Sequence, residues 1–203
     1  HSNKTNKKYI FNNHDSVIAA GGGKVLATYF NGEDDIAKML SSFTKHKLNV
    51  QSTKLDINNL TELKKIILNE GISHIYYFAS PRIIPNKSKD LDKTLLKKYQ
   101  HYYVHQFKAV LKILENLSNI KFKVFYPSTI FIDENTNDFL EYIQSKKEGE
   151  ELSCNVEKNC NNIKILKTRL PRMHTDQTVG IAKLETKDNF LVMLEVVQNM
   201  SDI

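Results

Sequence analysis

Strand patterns alternate with helix patterns along this chain, and the alternation limits its fold more than any other feature. Runs rich in β-branched and aromatic residues at 24–30, 49–56 and 73–80 are separated by helical patterns at 34–46 and 59–71. Such an alternation is typical of βαβ units, whose strands form a parallel sheet with helices on both faces. The predicted fold is therefore α/β, a Rossmann-like, doubly wound parallel sheet in three α/β/α layers.

The second half of the chain continues the same pattern. An amphipathic helix over 97–118 precedes a buried strand over 122–126, and a further helix follows. One more strand ends at Pro171, and a last helix over 188–200 is expected to pack on the sheet. We therefore assign 15–203 to a single domain.

Composition agrees with one folded domain. Of 203 residues, 40% are hydrophobic and 26% are charged, values that suit a globular protein with a core of its own. No apolar run approaches the ~18–20 residues of a membrane span, and no signal-peptide pattern opens the chain. We expect a cytoplasmic protein without a membrane partner.

Neither the charge of the chain nor its cysteines indicate a nucleic-acid or metal site. The formal net charge is +6, but lysines are spread along the chain among acidic residues, without the aromatic-basic interleaving of RNA-binding proteins. We expect no nucleic-acid partner and a mild attraction to anionic ligands. Cys154 and Cys160 have no His or Cys neighbours at metal-ligand spacing, so no metal is predicted.

Three polar residues after the 122–126 strand form the candidate catalytic site. Tyr142 and Lys146 are four residues apart on a predicted helix and share a face, and Ser128 lies at the strand end. A nearby cation lowers the pKa of a phenol, which would let Tyr142 pass a proton to a carbonyl oxygen. Ser128 would hold that oxygen by a hydrogen bond. The alternative is a surface helix with a half-buried tyrosine and a solvated lysine.

A serine followed by Tyr-x-x-x-Lys on the next helix resembles the short-chain dehydrogenase/reductase family. The phrases YPST, EYIQSKKEGE and LPRMHTDQT extend the resemblance over roughly residues 15 to 200. It implies an NAD(P)(H)-dependent oxidoreductase that interconverts carbonyls and alcohols. The branch it resembles is that of ketoreductase domains of modular polyketide or fatty-acid-type synthases. This implies a small-molecule or carrier-protein-bound carbonyl substrate, and a homodimer.

The resemblance also assigns a dinucleotide site. The assigned residues are Asp56, Ile57, Phe78, Ala79, Ser80, Lys146, Pro171, Thr175 and Thr178. Asp56 would lie beside the adenine, although a turn or helix cap explains it equally well. NAD-dependent enzymes place an acidic residue at the end of the second strand, where this chain has residues 29–32 without an acid. The cofactor is NADP or NAD, and this position favours NADP.

One departure from the family pattern leaves catalysis open. Such a domain begins with a strand and a G-x-x-x-G-x-G loop that holds the cofactor pyrophosphate at a helix N-terminus, and the sequence does not contain it. We interpret the glycines at 21–23 as a helix end and a turn, because the residues after them are strand-like.

Residues 1–14 are predicted to be a polar tail or the remnant of a first strand and helix. Three explanations of the absent glycine loop remain open. The chain starts inside the first helix, or YIFNN is a first strand followed by a shortened loop, or cofactor binding has been lost. The last of these predicts a catalytically inactive structural or interaction module of a larger synthase.

Overall fold

The computed structural model describes residues 17–21, 24–30, 37, 41, 50–86, 90–134, 136–172 and 188–203. The strands in these ranges are β1 (Val17–Gly21), β2 (Lys24–Tyr29), β3 (Val50–Lys54), β4 (His74–Tyr77), β5 (Phe122–Thr129) and β6 (Ile163–Leu170). The helices are α1 (Leu60–Asn69), α2 (Lys93–Gln100), α3 (Phe107–Glu115), α4 (Leu140–Asn159) and α5 (Asn189–Asp202). A π-helical stretch (His101–Gln106) joins α2 to α3, and a 3-10 turn (Ile130–Ile132) follows β5. None of the helices described is long and apolar enough to cross a bilayer.

The strands described form one sheet in the order β3-β2-β1-β4-β5-β6. Strand β2 is parallel to β3, and β4, β5 and β6 are parallel to one another. Strand β1 pairs antiparallel with both β2 and β4, so β2 and β4 run in the same direction. The five predicted strands therefore share one carboxyl edge, and the predicted Rossmann-like α/β fold is confirmed.

Strand β1 is where the fold differs from the prediction. The sequence predicted a helix end before the glycines, but the structure has a strand that pairs with β2 from Gly21 opposite Lys24. Two apolar runs separated by two glycines are also the pattern of a tight hairpin, and that pairing prevails here. Because β1 runs against its neighbours, Gly21 lies at the amino edge of the sheet, and Val17 lies beside Tyr77 at the carboxyl edge.

Helices cover both faces of the sheet. Successive strand residues point to opposite faces, so Phe122, Val124 and Tyr126 of β5 share one core cluster. Their partners there include Leu63 and Ile67 of α1 and Phe107, Val110, Leu111 and Leu114 of α3. Phe125 points to the other face and packs near Val196 of α5. The alternation within β5 thus builds the three layers.

Two strand tyrosines support the π-helical stretch between α2 and α3. The Tyr77 hydroxyl donates to the Tyr102 carbonyl at 2.7 Å, and the Tyr126 hydroxyl donates to the Tyr103 carbonyl at 3.2 Å. A π-helical turn interrupts the regular hydrogen-bond ladder, and buried carbonyls outside that ladder need another donor. The two hydroxyls supply it, and they fix this stretch to the sheet.

Gly149 lets α4 approach the sheet at the same place. A Cβ at this position would overlap the Tyr126 hydroxyl oxygen and would lie 2.9 Å from the Tyr103 carbonyl oxygen. The Tyr126 side chain is fully buried, so it has no open space into which to move. A side chain at position 149 would therefore displace either α4 or the Tyr126 hydroxyl.

The Gly149→Ala variant should be less stable than the parent protein by about 1–3 kcal/mol, the usual cost of overpacking. In an open helix position the same change would stabilise by about 1 kcal/mol, so the sign of the effect is the test. Urea unfolding measures it, with Gln144→Ala at an exposed position of α4 as the control. A variant as stable as the parent protein would show that the contact between Gly149 and Tyr126 is not tight.

Candidate active site

The end of β5 and the first turns of α4 bring Tyr142 and Lys146 into the protein interior. Tyr142, Lys146 and Glu150 recur at intervals of four residues, so they share one face of α4. Tyr142 is 7% exposed and Lys146 is 4% exposed. The alternative of a surface helix with a solvated lysine is therefore excluded. Ser128 and Pro171 lie at the same carboxyl edge of the sheet, as the alternation of strands and helices predicts.

Lys146 is enclosed by an aromatic cage formed by the rings of Tyr103, Tyr126 and Tyr142. Its Nζ lies 3.9, 4.9 and 5.7 Å from the three ring centroids and donates to the Pro127 carbonyl at 2.6 Å. Ring faces attract a cation, but removal from water penalises the charged form. Burial lowers the pKa of Lys146 to about 7. The charged and neutral forms of Lys146 are therefore populated about equally near neutral pH.

Tyr142 is a buried phenol that has the Thr129 hydroxyl as a neighbour. Burial raises the pKa of Tyr142 above its ordinary value, and a hydrogen bond with the Thr129 side chain opposes part of that rise. The rings of Tyr99 and Tyr103 pack edge-on against Tyr142, with centroids 5.9 and 5.5 Å away. The prediction that the neighbouring cation lowers this pKa is wrong, because burial is the largest cause and raises it, while the opposing contribution comes from Thr129. Tyr142 is a neutral phenol at pH 7.

The sequence predicted that the Ser128 hydroxyl faces the same site as Tyr142, and the structure contradicts this prediction. The hydroxyl donates to Glu150 Oε1 at 2.6 Å. Ser128 pairs in register with Arg169 on the neighbouring parallel strand, and Arg169 binds the same carboxylate. Of the two adjacent hydroxyls at the end of β5, it is therefore Thr129 that lies beside the phenol.

Asp56 and Ile57 follow β3 at the carboxyl edge. Asp56 Oδ1 accepts hydrogen bonds from the backbone N and the side-chain Nδ2 of Asn58, at 2.9 and 2.8 Å. The next residue, Asn59, caps α1. Asp56 thus forms the turn into α1, which is the alternative that the sequence left open, and Ile57 is a core residue with 2% exposure.

The segment after β4 lies close to the aromatic cage. Ala79 is buried, and Phe78 packs edge-on against Phe125 with 5.8 Å between ring centroids. The Ser80 hydroxyl is 2.5 Å from the hydroxyl of Tyr103, the tyrosine whose ring lies nearest to Lys146. This segment therefore touches the site through Ser80.

The segment after β6 is described only in part. Pro171 is half-buried at the strand end, and the guanidinium of Arg172 lies 5.0 Å from the centroid of the Phe131 ring. Thr175 and Thr178 lie outside the described residues. Their assignment to a loop over the cofactor remains a prediction.

Sequence reasoning missed three residues of this site: Thr129, Tyr103 and Glu150. Glu150 could have been found, because it lies four residues after Lys146 and hence on the same helix face. Thr129 and Tyr103 leave no such signal. One is the second of two adjacent hydroxyl residues, and the other is one of several aromatic residues in a helix.

The described residues offer suitable groups for only part of a nicotinamide dinucleotide. Thr129, Tyr142 and Lys146 offer two hydroxyls and an amine at the carboxyl edge, which suit the reacting end of such a cofactor and a carbonyl substrate. The pyrophosphate needs the helix N-terminus that follows the first strand. Here β1 leaves the sheet at the opposite edge, and only residues 22–23 separate it from β2. The described residues therefore fit the reacting half of the cofactor but not its pyrophosphate.

Comparison with known proteins identifies the fold. No protein-family model and no curated protein sequence matches the chain. Among solved structures, an alcohol dehydrogenase from Thermococcus sibiricus complexed with 5-hydroxy-NADP has a TM-score of 0.67 at 12% identity, over 84% of this chain and 76% of that one. A short chain dehydrogenase from Salmonella enterica has a TM-score of 0.67 at 11% identity, over 86% and 78% of the two chains.

A third structure is the FolM alternative dihydrofolate reductase 1 from Brucella canis, complexed with NADP. Its TM-score is 0.67 at 12% identity, over 87% of this chain and 76% of that one. At such identities the similarity shows the fold alone. The chain has the fold of short-chain dehydrogenases/reductases.

The buried amine of Lys146 should make stability depend on pH. Its pKa is about 7 in the folded protein and about 10.4 in an unfolded chain. Between these values the unfolded chain binds one more proton, so the free energy of unfolding rises with pH, by at most about 1.4 kcal/mol per unit. Below pH 7 both states hold the proton, and the penalty is constant.

Lys146→Met should abolish that rise, because methionine has no proton to bind. Urea unfolding between pH 7 and pH 10 measures the effect, and the exposed neighbour Lys147 provides the matched control, Lys147→Met. The control should keep the pH dependence of the parent protein. Parallel curves for the parent and Lys146→Met would show that Lys146 titrates as a solvated lysine.

Proposed function

We propose that this protein is an NADP(H)-dependent oxidoreductase of the short-chain dehydrogenase/reductase type, with Tyr142 as the proton donor to a carbonyl oxygen. The observation that supports this most is the grouping of Thr129, Tyr142 and Lys146 at the carboxyl edge of the sheet. Two solved structures with this fold hold NADP or a derivative of it, which favours the same class of cofactor here.

Each of the three residues has a separate task in this proposal. The Thr129 hydroxyl donates a hydrogen bond to the substrate oxygen and orients the carbonyl. Tyr142 transfers its phenolic proton to that oxygen as the alkoxide forms. Lys146, when protonated, stabilises the phenolate that remains. The cofactor, when bound, exchanges a hydride with the carbonyl carbon.

The burial of Tyr142 favours reduction over oxidation. A buried phenol with a raised pKa holds its proton at pH 7, and the protonated form is the one that reduction of a carbonyl requires. Oxidation of an alcohol would begin with a phenolate acting as base, which burial disfavours. We therefore propose that the protein acts mainly as a reductase.

The substrate class rests on the resemblance of YPST and LPRMHTDQT to ketoreductase domains. It is a ketone or aldehyde, either a small molecule or an acyl chain held by a carrier protein. The net charge of +6 favours anionic ligands, which include NADP. The proposal includes a homodimer in the cytoplasm.

The direction of β1 favours a second function. Without a helix N-terminus after β1, the described residues offer no cradle for a pyrophosphate. A protein with this fold that lacks the cofactor would be a structural or interaction module of a larger synthase. A fluorescence titration with NADPH separates the two functions, since saturable quenching supports the first and its absence up to millimolar NADPH supports the second.

In a protein that binds NADPH, Tyr142→Phe should lower kcat for carbonyl reduction by about 10²–10⁴-fold, the contribution of a positioned general acid. NADPH affinity should stay close to that of the parent, because the phenol is a proton donor rather than an anchor. NADPH consumption with a panel of ketones and aldehydes measures the rate. Cys154→Ser, at an exposed position of α4, serves as the control.

The two adjacent hydroxyls at the end of β5 should differ in effect. Thr129→Val removes the hydroxyl beside Tyr142 and should reduce kcat more than Ser128→Ala, because the Ser128 hydroxyl binds Glu150. The same NADPH assay ranks the two variants. The reverse order would restore Ser128 as the residue that holds the substrate oxygen, and unchanged turnover in Tyr142→Phe would remove Tyr142 from the mechanism.

A further inference from the structure

A network of charged groups lies one helical turn beyond Lys146. The Glu150 carboxylate accepts hydrogen bonds from Arg169 Nε at 2.9 Å on Oε1 and from Arg169 Nη2 at 2.8 Å on Oε2. Ser128 donates to Oε1 at 2.6 Å, and Arg169 Nη1 reaches Asp133 Oδ1 at 2.5 Å. The side chain of Glu150 is 19% exposed. This is a partly buried ion pair that joins β5, β6 and α4.

Glu150 is held in its charged form. The hydrogen bond from Arg169 is the largest of the causes that keep the pKa of Glu150 below its ordinary value, and the hydrogen bond from Ser128 adds to it, while burial opposes them. Bidentate pairing of a carboxylate with a guanidinium is a strong, oriented contact. The position of this negative charge is therefore fixed.

The charge on Glu150 acts on Lys146. The two residues are one turn apart on the same face of α4, where Cβ atoms are about 5–6 Å from each other. Within the part of the chain that the structure describes, the groups that enclose the amine are the aromatic cage and the Pro127 carbonyl, and none of them carries a full negative charge. Glu150 opposes the effect of burial by raising the pKa of Lys146.

We propose that Glu150 is a positioning residue that increases the protonated fraction of Lys146 beside Tyr142, while Arg169 limits the strength of that effect. The meaning of this for catalysis rests on the proposed function, because a protonated Lys146 is needed to stabilise the tyrosinate. The coupling between Glu150 and Lys146 does not depend on a bound cofactor or on turnover. It also gives the Ser128 hydroxyl a role, which is to orient the Glu150 carboxylate.

The test is a direct titration of Lys146 by NMR, using protein labelled with ¹³C at lysine Cε and a Lys146→Arg variant to assign the signal. Glu150→Gln keeps the shape of the side chain and still accepts a hydrogen bond from Ser128, but it loses the charge. The titration midpoint of Lys146 should fall by about one pH unit. Glu150→Asp keeps the charge and should restore most of the midpoint.

The Arg169→Gln variant should shift the titration midpoint of Lys146 in the opposite direction. It removes the cation that offsets Glu150, so the midpoint of Lys146 should rise. A role limited to structural support would move the midpoint in the same direction in both variants, because each breaks the same ion pair. If Arg169→Gln does not fold, Arg169→Lys replaces it, and the expected rise is smaller because the cation remains. Glu151→Gln, at an exposed position of α4, is the control and should leave the midpoint unchanged.

Two outcomes overturn the proposal: an unchanged midpoint in Glu150→Gln, or shifts of the same sign in Glu150→Gln and Arg169→Gln. Either result can be read without any turnover. If the protein fails to bind NADPH while the midpoints shift as expected, the proposed function fails and the coupling remains. In an active protein, the pH profile of kcat should move with the midpoint of Lys146, in the same direction for each variant.

Discussion

The contact between Tyr126 and helix α4 is the constraint on which the rest of the site depends. Gly149 leaves room for the Tyr126 hydroxyl, which reaches the Tyr103 carbonyl and anchors the π-helical stretch. That stretch places the Tyr103 ring over Lys146 at 3.9 Å from the centroid. Gly149 and the Tyr126 hydroxyl thus determine the surroundings of the Lys146 amine, and through them its pKa, although neither group takes part in the proposed chemistry.

The direction of β1 places its carboxyl end at the edge of the sheet opposite the candidate site. Five strands place the ends of β4, β5 and β6 at one edge, which is the usual location of a ligand in open α/β sheets. Strand β1 runs the other way, so its carboxyl end and Gly21 lie at the far edge, where they cannot approach a ligand bound beside Tyr142. Among the described residues, the candidate reacting groups at the carboxyl edge are therefore present without a pyrophosphate site at the end of β1.

The periodicity of the sequence correctly predicted the features of the fold that depend on local sequence. The five parallel strands and the shared face of Tyr142 and Lys146 follow from spacing alone. Spacing did not reveal that Thr129 rather than Ser128 lies beside the phenol. Adjacent residues of a strand point to opposite faces of the sheet, and the sequence does not show which of the two faces Tyr142. The pKa of Tyr142 was predicted in the wrong direction, because its burial comes from residues far away in sequence such as Tyr99 and Tyr103.

The π-helical stretch also sets the rotation of α2 about its own axis. Tyr99, Tyr103 and Phe107 are four residues apart and all fully buried. In a regular helix each step of four residues turns about 40° past a full revolution, so three such residues would drift off one face. The wider turns between α2 and α3 absorb this drift. Because a π turn holds more residues than an α turn, loss of one residue there would return the stretch to regular α-helical turns and leave α2 and α3 in nearly the same phase, so this stretch can differ in length by one residue without turning the buried face of α2 away from α4.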